Sequence, residues 1–300
     1  MTAALPHDPR WPRASQWLDE GSRRWRDHPS GVPDIGILGV PAHKTSISTT
    51  HADRTPAAVR AALARYATWA ESVGRDLREL WAVDLGDVPE PDSPQGEART
   101  SAVVDSWPGR LLVALGGDNS LTFAVAQGSR AGGLVTLDAH HDLRDGISNG
   151  SPVRRLVEAG MDGSRIVQIG IGDFANSAEY AARAREFGIT IIPRDQVEAR
   201  GMAAVMADAF EIAGGAGSIH VDLDVDVCDR SVAPACPAAV PGGLSAYQLR
   251  QAARAAGRDP RVVSVDFAEV DASADSSDQR TVRLVALCVL EVAAGLLIRE

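Results

Sequence analysis

The stretch "LVTLDAHHDLR", residues 134–144, opens as a buried strand and then places two aspartates and two histidines within five residues. A run of Leu, Val and Thr without polar alternation reads as a strand covered on both faces, the pattern of parallel sheets. Seven further runs share that character: "DIGILGV" (34–40), "LWAVDLG" (80–86), "LLVAL" (111–115), "RIVQIGI" (165–171), "ITII" (189–192), "SIHVDLDV" (218–225) and "RVVSVDF" (261–267). Between them lie helix-like segments. One is "TPAAVRAALARYATWAESV", with Thr55 as expected N-cap and Pro56 opening the helix. Others are "SLTFAVAQGSR", "PVRRLVEAG", "SAEYAARAREFG", "MAAVMADAFEIAG" and "SAYQLRQAARAAG". Alternating strands and helices give an α/β domain with a mainly parallel sheet. Pattern alone leaves two closures open, a barrel and an open doubly wound sheet.

The chain has 300 residues, 45% of them hydrophobic, enough for one large core. We read residues 1–32, rich in Trp and Arg, as an N-terminal arm, residues 33–300 as a single domain, and "PEPDSPQGEART" (89–100) as a surface loop. The net charge of −10, with dispersed basic residues, argues against a nucleic-acid partner. Three cysteines, Cys228, Cys236 and Cys288, form no C-x-x-C pair and suit a reducing compartment. No apolar signal region opens the chain, so a cytoplasmic location is expected. "LVALCVLEVAAGLLI" is short for a bilayer and carries Glu291, so a core helix rather than a membrane contact is expected.

Ligands of parallel α/β folds bind at the carboxyl ends of strands. There the chain carries "GGDNS" (116–120), "DAHHD" (138–142), "DLDVDVCD" (222–229) and "AEVD" (268–271). In extended backbone, residues two apart point the same way, so Asp138, His140 and Asp142 converge while His141 points elsewhere. So many carboxylates repel unless a cation neutralises them, and carboxylates with an imidazole suit Mn²⁺.

These motifs resemble the ureohydrolase family of arginases, agmatinases and formimidoylglutamases, whose signatures are G-G-D-H-S, D-A-H-x-D and D-x-D-x-x-D followed by Pro-Gly-Gly-Leu. The resemblance covers roughly residues 34–295. It implies a three-layer αβα fold with an open, mainly parallel eight-stranded sheet, and two Mn²⁺ per subunit. In "DLDVDVCD" the pair Asp224/Asp226 fits the family spacing to Asp229; Asp222 then takes a position that is often Ser. By resemblance Asp138 and Asp224 bridge the metals, Asp142 and Asn119 complete one, and His140 and Asp226 the other. Glu269 matches the glutamate that holds the substrate's amidinium or guanidinium. Asn119 replaces a metal-binding His of arginase, so the metal beside it is expected to be the weaker. Asn149 replaces a proton-carrying His. Both changes, with "HKTSIS" (43–48), "GDFANSAEY" (172–180) and "APACPAAVPGGL" (233–244), resemble the formimidoylglutamase branch.

The implied reaction is hydrolysis of N-formimidoyl-L-glutamate to formamide and L-glutamate, as in histidine degradation, by a hydroxide held between the metals, with Asp142 as proton shuttle and Glu269 orienting the amidine. An anionic substrate calls for donors at the mouth: Arg144 first, then Lys44, Asn149, Arg154 and Asn176. The alternatives are a hydrolase of a guanidino compound such as arginine, agmatine or a guanidino acid, and a catalytically silent binding protein of the same fold. A homo-oligomer stays open.

Overall fold

The Val, Ile and Leu runs form strands because each side chain, above or below the sheet, meets apolar surface. The computed structural model describes residues 8–215 and 217–299. Its strands are β1 Ile35–Val40, β2 Trp69–Ala70, β3 Arg75–Asp76, β4 Ala82–Asp87, β5 Leu111–Gly116, β6 Gly133–Leu137, β7 Ile166–Ile171, β8 Thr190–Pro193, β9 Ile219–Asp224 and β10 Val262–Ala268. All but β2 and β3 join one eight-stranded parallel sheet in the order β4-β1-β5-β10-β9-β6-β7-β8. The order runs edge to edge without closing, so the sheet is open and the barrel is excluded. All eight runs of the sequence are its strands.

Alternate residues feed opposite layers. Ile35, Ile37, Leu111 and Val113 enter one apolar core, while Leu38, Val40, Leu112 and Ala114 enter another on the opposite face. Each fully buried Val, Leu or Ile among them contributes roughly 1.5–3 kcal/mol relative to exposure. Helix Ala14–Asp27 covers the β4 side: Ala14, Trp17 and Leu18 join the larger core, and Trp17 Nε1 donates to Leu80 O at 2.9 Å. The run "LVALCVLEVAAGLLI" lies in helix Arg280–Leu297, almost wholly buried, and no helix among the described residues is long and apolar enough to cross a membrane.

Two segments depart from expectation. The helix begun at Thr55 stops at Leu63, and residues 69–76 form the β2–β3 hairpin. Tertiary pairing wins over propensity there: Ala14 N donates to Tyr66 O at 2.9 Å and Arg13 bridges Ala67. Thr55 is the first helical residue rather than the cap; its hydroxyl bonds Val270 O and accepts from Ala272 N. Much of "PEPDSPQGEART" is helical, since Pro94–Asp105 is a helix with Ser93 capping Gly96 N at 3.0 Å. The surface-loop expectation fails there because Ser-Pro starts a helix, with Ser93 as N-cap and Pro94 in the first turn.

The topology decides where the chemistry gathers. The four strands that end in polar motifs, β5, β10, β9 and β6, are consecutive at the sheet centre. Register pairs Leu137 with Leu223 and Ala268 with Asp224, so Asp138 and Asp224 emerge level from the same edge, with Glu269 one residue beyond.

Candidate active site

At that edge Asp138 ends β6, fully buried, and its Oδ1 accepts from His140 N at 2.7 Å, an Asx-type turn that brings His140 back over the strand end. His140 Nδ1 lies 3.0 Å from Asp226 Oδ2 and 3.3 Å from Asp138 Oδ1. Asp224 Oδ1 accepts from Asp226 N at 2.9 Å. The result is two sets of ligating atoms, each set within 4.8 Å: Asp138, His140 and Asp226, and Asp138, Asp142 and Asp224. Asp138 belongs to both.

Asp142 (φ 52°) and Glu269 (φ 60°) adopt left-handed backbone, which costs a non-glycine residue free energy and persists only where the surroundings enforce it. For Asp142 the restraint includes Asn119 Nδ2, which donates to Oδ2 at 2.7 Å. For Glu269 it is two donors on Oε1: Asn119 N at 2.8 Å and Asn149 Nδ2 at 2.7 Å. Asn149 in turn accepts from Ile47 N at 3.0 Å, tying the 43–48 segment to the site.

The electrostatics are those of a cation site. Burial, then the repulsion of Asp226, pushes Asp138 up to about 8. Burial and Asp138 raise Asp142; burial, Asp226 and Asp138 raise Asp224. Burial and the nearby Asp118 push Glu269 up to about 8. Burial alone would depress His140, but its contacts with Asp138 and Asp226 push it up to about 12. Among the described residues no lysine or arginine pairs with these carboxylates, and Asp138 Oδ2 is buried without a hydrogen-bond partner. Carboxylates crowded this way hold protons or a metal, and an oxygen-rich set with one imidazole fits divalent Mn²⁺.

The other sequence candidates divide by what they touch. Arg144 and Lys44 are exposed, and neither charged end has a partner among the described residues. Arg154 bonds Arg144 O (2.6 Å), Gly146 O and Glu158, clamping the loop. Asn176 accepts from His141 N and donates to Ala139 O, both at 2.9 Å, so it braces the 139–141 turn. His141 and His220 are buried and bonded, to Gln168 and to Ser264 and Asp266. Asp222 lies deeper, outside both ligand sets: it accepts from Thr136 Oγ1 at 2.8 Å. Sequence reading missed Thr122, whose Oγ1 donates to Asn119 Oδ1 at 2.6 Å; its only signal was a position three residues after Asn119.

A model of the arginase family matches residues 33–295. A formimidoylglutamase of Halalkalibacterium halodurans is 33% identical over 285 residues, 90% of this chain and 89% of that one. The crystal structure of formimidoylglutamase from Bacillus subtilis superposes with a TM-score of 0.89 at 26% identity, covering 100% of this chain and 96% of that one. Formiminoglutamase of Trypanosoma cruzi, solved with Mn²⁺, gives a TM-score of 0.86 at 24% identity, covering 97% and 100%, a likeness of fold.

Proposed function

The chain belongs to the arginase family, and on that premise we propose that it hydrolyses the amidine C–N bond of N-formimidoyl-L-glutamate, giving L-glutamate and formamide, with Mn²⁺ as cofactor. The observation that carries the reading is the pair of ligand sets sharing Asp138 beside a glutamate fixed by two amide donors. Asp138, Asp142, Asp224, Asp226 and His140 would hold two ions. Such ions supply Lewis acidity and acidify water enough to make a nucleophile near neutral pH.

The chain's own residues do the rest. Glu269 Oε1 is engaged by the amides of Asn119 and Asn149, and Oε2 accepts no hydrogen bond among the described residues. That oxygen faces a cationic amidine as a charge-assisted acceptor and fixes its plane. Asp142 holds the proton that the glutamate nitrogen needs as the C–N bond breaks, because an unprotonated amine leaves poorly. Asn149 cannot carry that proton, since an amide does not titrate; it orients Glu269 instead. Arg144 and Lys44 receive the substrate's carboxylates at the mouth.

The test is hydrolysis of formimidoylglutamate, arginine and agmatine with and without added Mn²⁺. Activity on formimidoylglutamate that rises with Mn²⁺ and far exceeds the others is expected. Equal activity on agmatine, which carries no carboxylate, overturns the substrate assignment.

A further inference from the structure

Gly150 closes the loop that carries Arg144 at the mouth of the site. Arg144 N donates to Gly150 O at 2.9 Å. Two other arginines hold the loop: Arg154 Nε donates to Arg144 O at 2.6 Å, and Arg183 Nη1 donates to Leu143 O at 2.7 Å and to Asp145 Oδ1 at 2.8 Å. Both of those charges are thereby occupied, whereas the exposed guanidinium of Arg144 has no acceptor among the described residues. Asn149, the residue before Gly150, touches Glu269 at 2.7 Å, so this loop borders the carboxylate that receives the amidine.

Backbone conformation does not call for glycine at 150, because its φ is not in the left-handed region that favours glycine. Space does. A Cβ there would lie 2.8 Å from Arg144 Cδ, 3.2 Å from Arg144 Nε and 3.2 Å from Ile47 Cδ1. The position is buried, and the absent side chain leaves a slot in which the stem of Arg144 lies, with Ile47 as its second wall. Ile47 is itself tied down, its N donating to Asn149 Oδ1 at 3.0 Å. A free arginine stem samples many rotamers, and ordering it on binding costs affinity. A slot orders it in advance.

We propose that Gly150 is a positioning residue for substrate recognition: the space left by its missing side chain seats the stem of Arg144 and aims the guanidinium at a carboxylate of the substrate. Gly150 touches neither substrate nor metal and acts only through Arg144. The inference rests on reading Arg144 as the receptor of a substrate carboxylate and is independent of how the metals are held.

The test is a double-mutant cycle of Gly150→Ala and Arg144→Ala, read as kcat and KM for formimidoylglutamate, with thermal melts alongside. The methyl of Gly150→Ala meets side chains rather than backbone, and Arg144 can swing into solvent, so the variant folds. Its KM rises about tenfold, the low end for losing a charge-assisted contact, while kcat stays within about twofold of the wild type. In the Arg144→Ala background the same methyl changes KM no further, because the stem it displaces is gone; such coupling marks two residues that act as one. A wild-type KM in Gly150→Ala, with that of Arg144→Ala raised, overturns the inference and leaves Arg144 in the site. Effects that multiply in the double variant, or a kcat that falls along with the rise in KM, overturn it too, since the methyl then acts through something other than Arg144. Should Gly150→Ala fail to fold, the double variant folds if the clash is with that stem; a double variant that also fails overturns the inference. An unchanged KM in Arg144→Ala removes Arg144 from the substrate site instead, which is the failure of the underlying reading.

Discussion

Asp222, Asp224 and Asp226 are three alternate residues of one segment with three different surroundings. Asp224 and Asp226 reach the ligand sets at the sheet edge, while Asp222 is enclosed by Thr136 and Asp266 within the strand row. Asp226→Ala is therefore expected to lose bound Mn²⁺, counted by elemental analysis of the purified protein. Asp222→Ala should keep it, at a stability cost of about 1–3 kcal/mol for the partners left unsatisfied. Mn²⁺ lost from Asp222→Ala and kept by Asp226→Ala would reverse the register. The alternation of D-x-D made the choice legible only as two options; family spacing to Asp229 selected one. Arg144 is a separate case. Its backbone N donates to Gly150 O, and its stem lies against Gly150, near enough that a Cβ there would sit 2.8 Å from Arg144 Cδ. Its stem is thus fixed against the 144–150 loop, while its guanidinium is exposed and has no partner among the described residues. Arg144→Ala should raise KM for formimidoylglutamate about tenfold to a hundredfold, from losing a charge-assisted contact of about 1.5–3 kcal/mol. An unchanged KM removes Arg144 from the substrate site.

Helix Ala246–Arg258 and helix Arg280–Leu297 meet backbone to backbone. A Cβ built on Gly295 would lie 2.2 Å from Arg254 O, and one on Gly257 would lie 2.0 Å from Val292 O. Neither neighbour is a flexible side chain that can swing away. Gly295→Ala must push the helices apart and disturb the ion pairs of Glu291 with Arg250 and Arg254 that bridge them. We expect a loss of about 1–3 kcal/mol in urea unfolding from overpacking, against the small gain that Ala normally brings to a helix interior. An unchanged or raised midpoint shows that the contact is looser than the geometry says. Elements of this kind were legible in proportion to their apolar periodicity. All eight sheet strands announced themselves as Val/Ile/Leu runs. The hairpin Trp69–Ala70/Arg75–Asp76 did not, because what stops the preceding helix is the distant pairing of Ala14 with Tyr66. Helix Pro94–Asp105 was hidden by a polar, Gly-containing first turn, and helix Arg194–Arg200 by its brevity.

At the scale of the whole molecule, the site exists because four separate strand ends become neighbours. No local pattern orders strands β5, β10, β9 and β6 side by side; that comes from long-range connections, and the sequence pointed to it only through family motifs. The residue types of the acidic cluster were legible, while the contacts around it were not: Thr122 meets Asn119 within one turn and Asn149 meets Ile47 from a distant segment, each by side-chain geometry that no sequence pattern displays. The same convergence places an unbalanced acidic cluster in the fold, and its effect on stability depends on the metal. Asp138 and Glu269 ionise near 3.8 and 4.5 when exposed and at about 8 in the metal-free folded chain. Groups whose folded value is raised contribute stability that is fully present below the unfolded value and is lost as pH climbs towards the folded one. Asp226 runs the other way: its value is lowered, chiefly through His140, against the opposing effect of burial, so its contribution is present above pH about 4 and is constant through this window. His140 adds to the same trend: it stays protonated in the folded chain, its value raised to about 12, while the unfolded side chain gives up its proton near 6.5, so its contribution falls above pH about 6.5. Chelator-treated protein is therefore expected to lose stability steadily between about pH 5 and 8, by a few kcal/mol in all, roughly 5–10 °C in Tm. Added Mn²⁺ replaces the protons and removes that dependence, so the gap between metal-loaded and metal-free melting curves should widen as pH rises. Thermal melts at half-unit pH steps, with and without Mn²⁺, measure it directly. A gap that is constant or narrows with pH would mean that the carboxylates are already neutralised by something other than a metal.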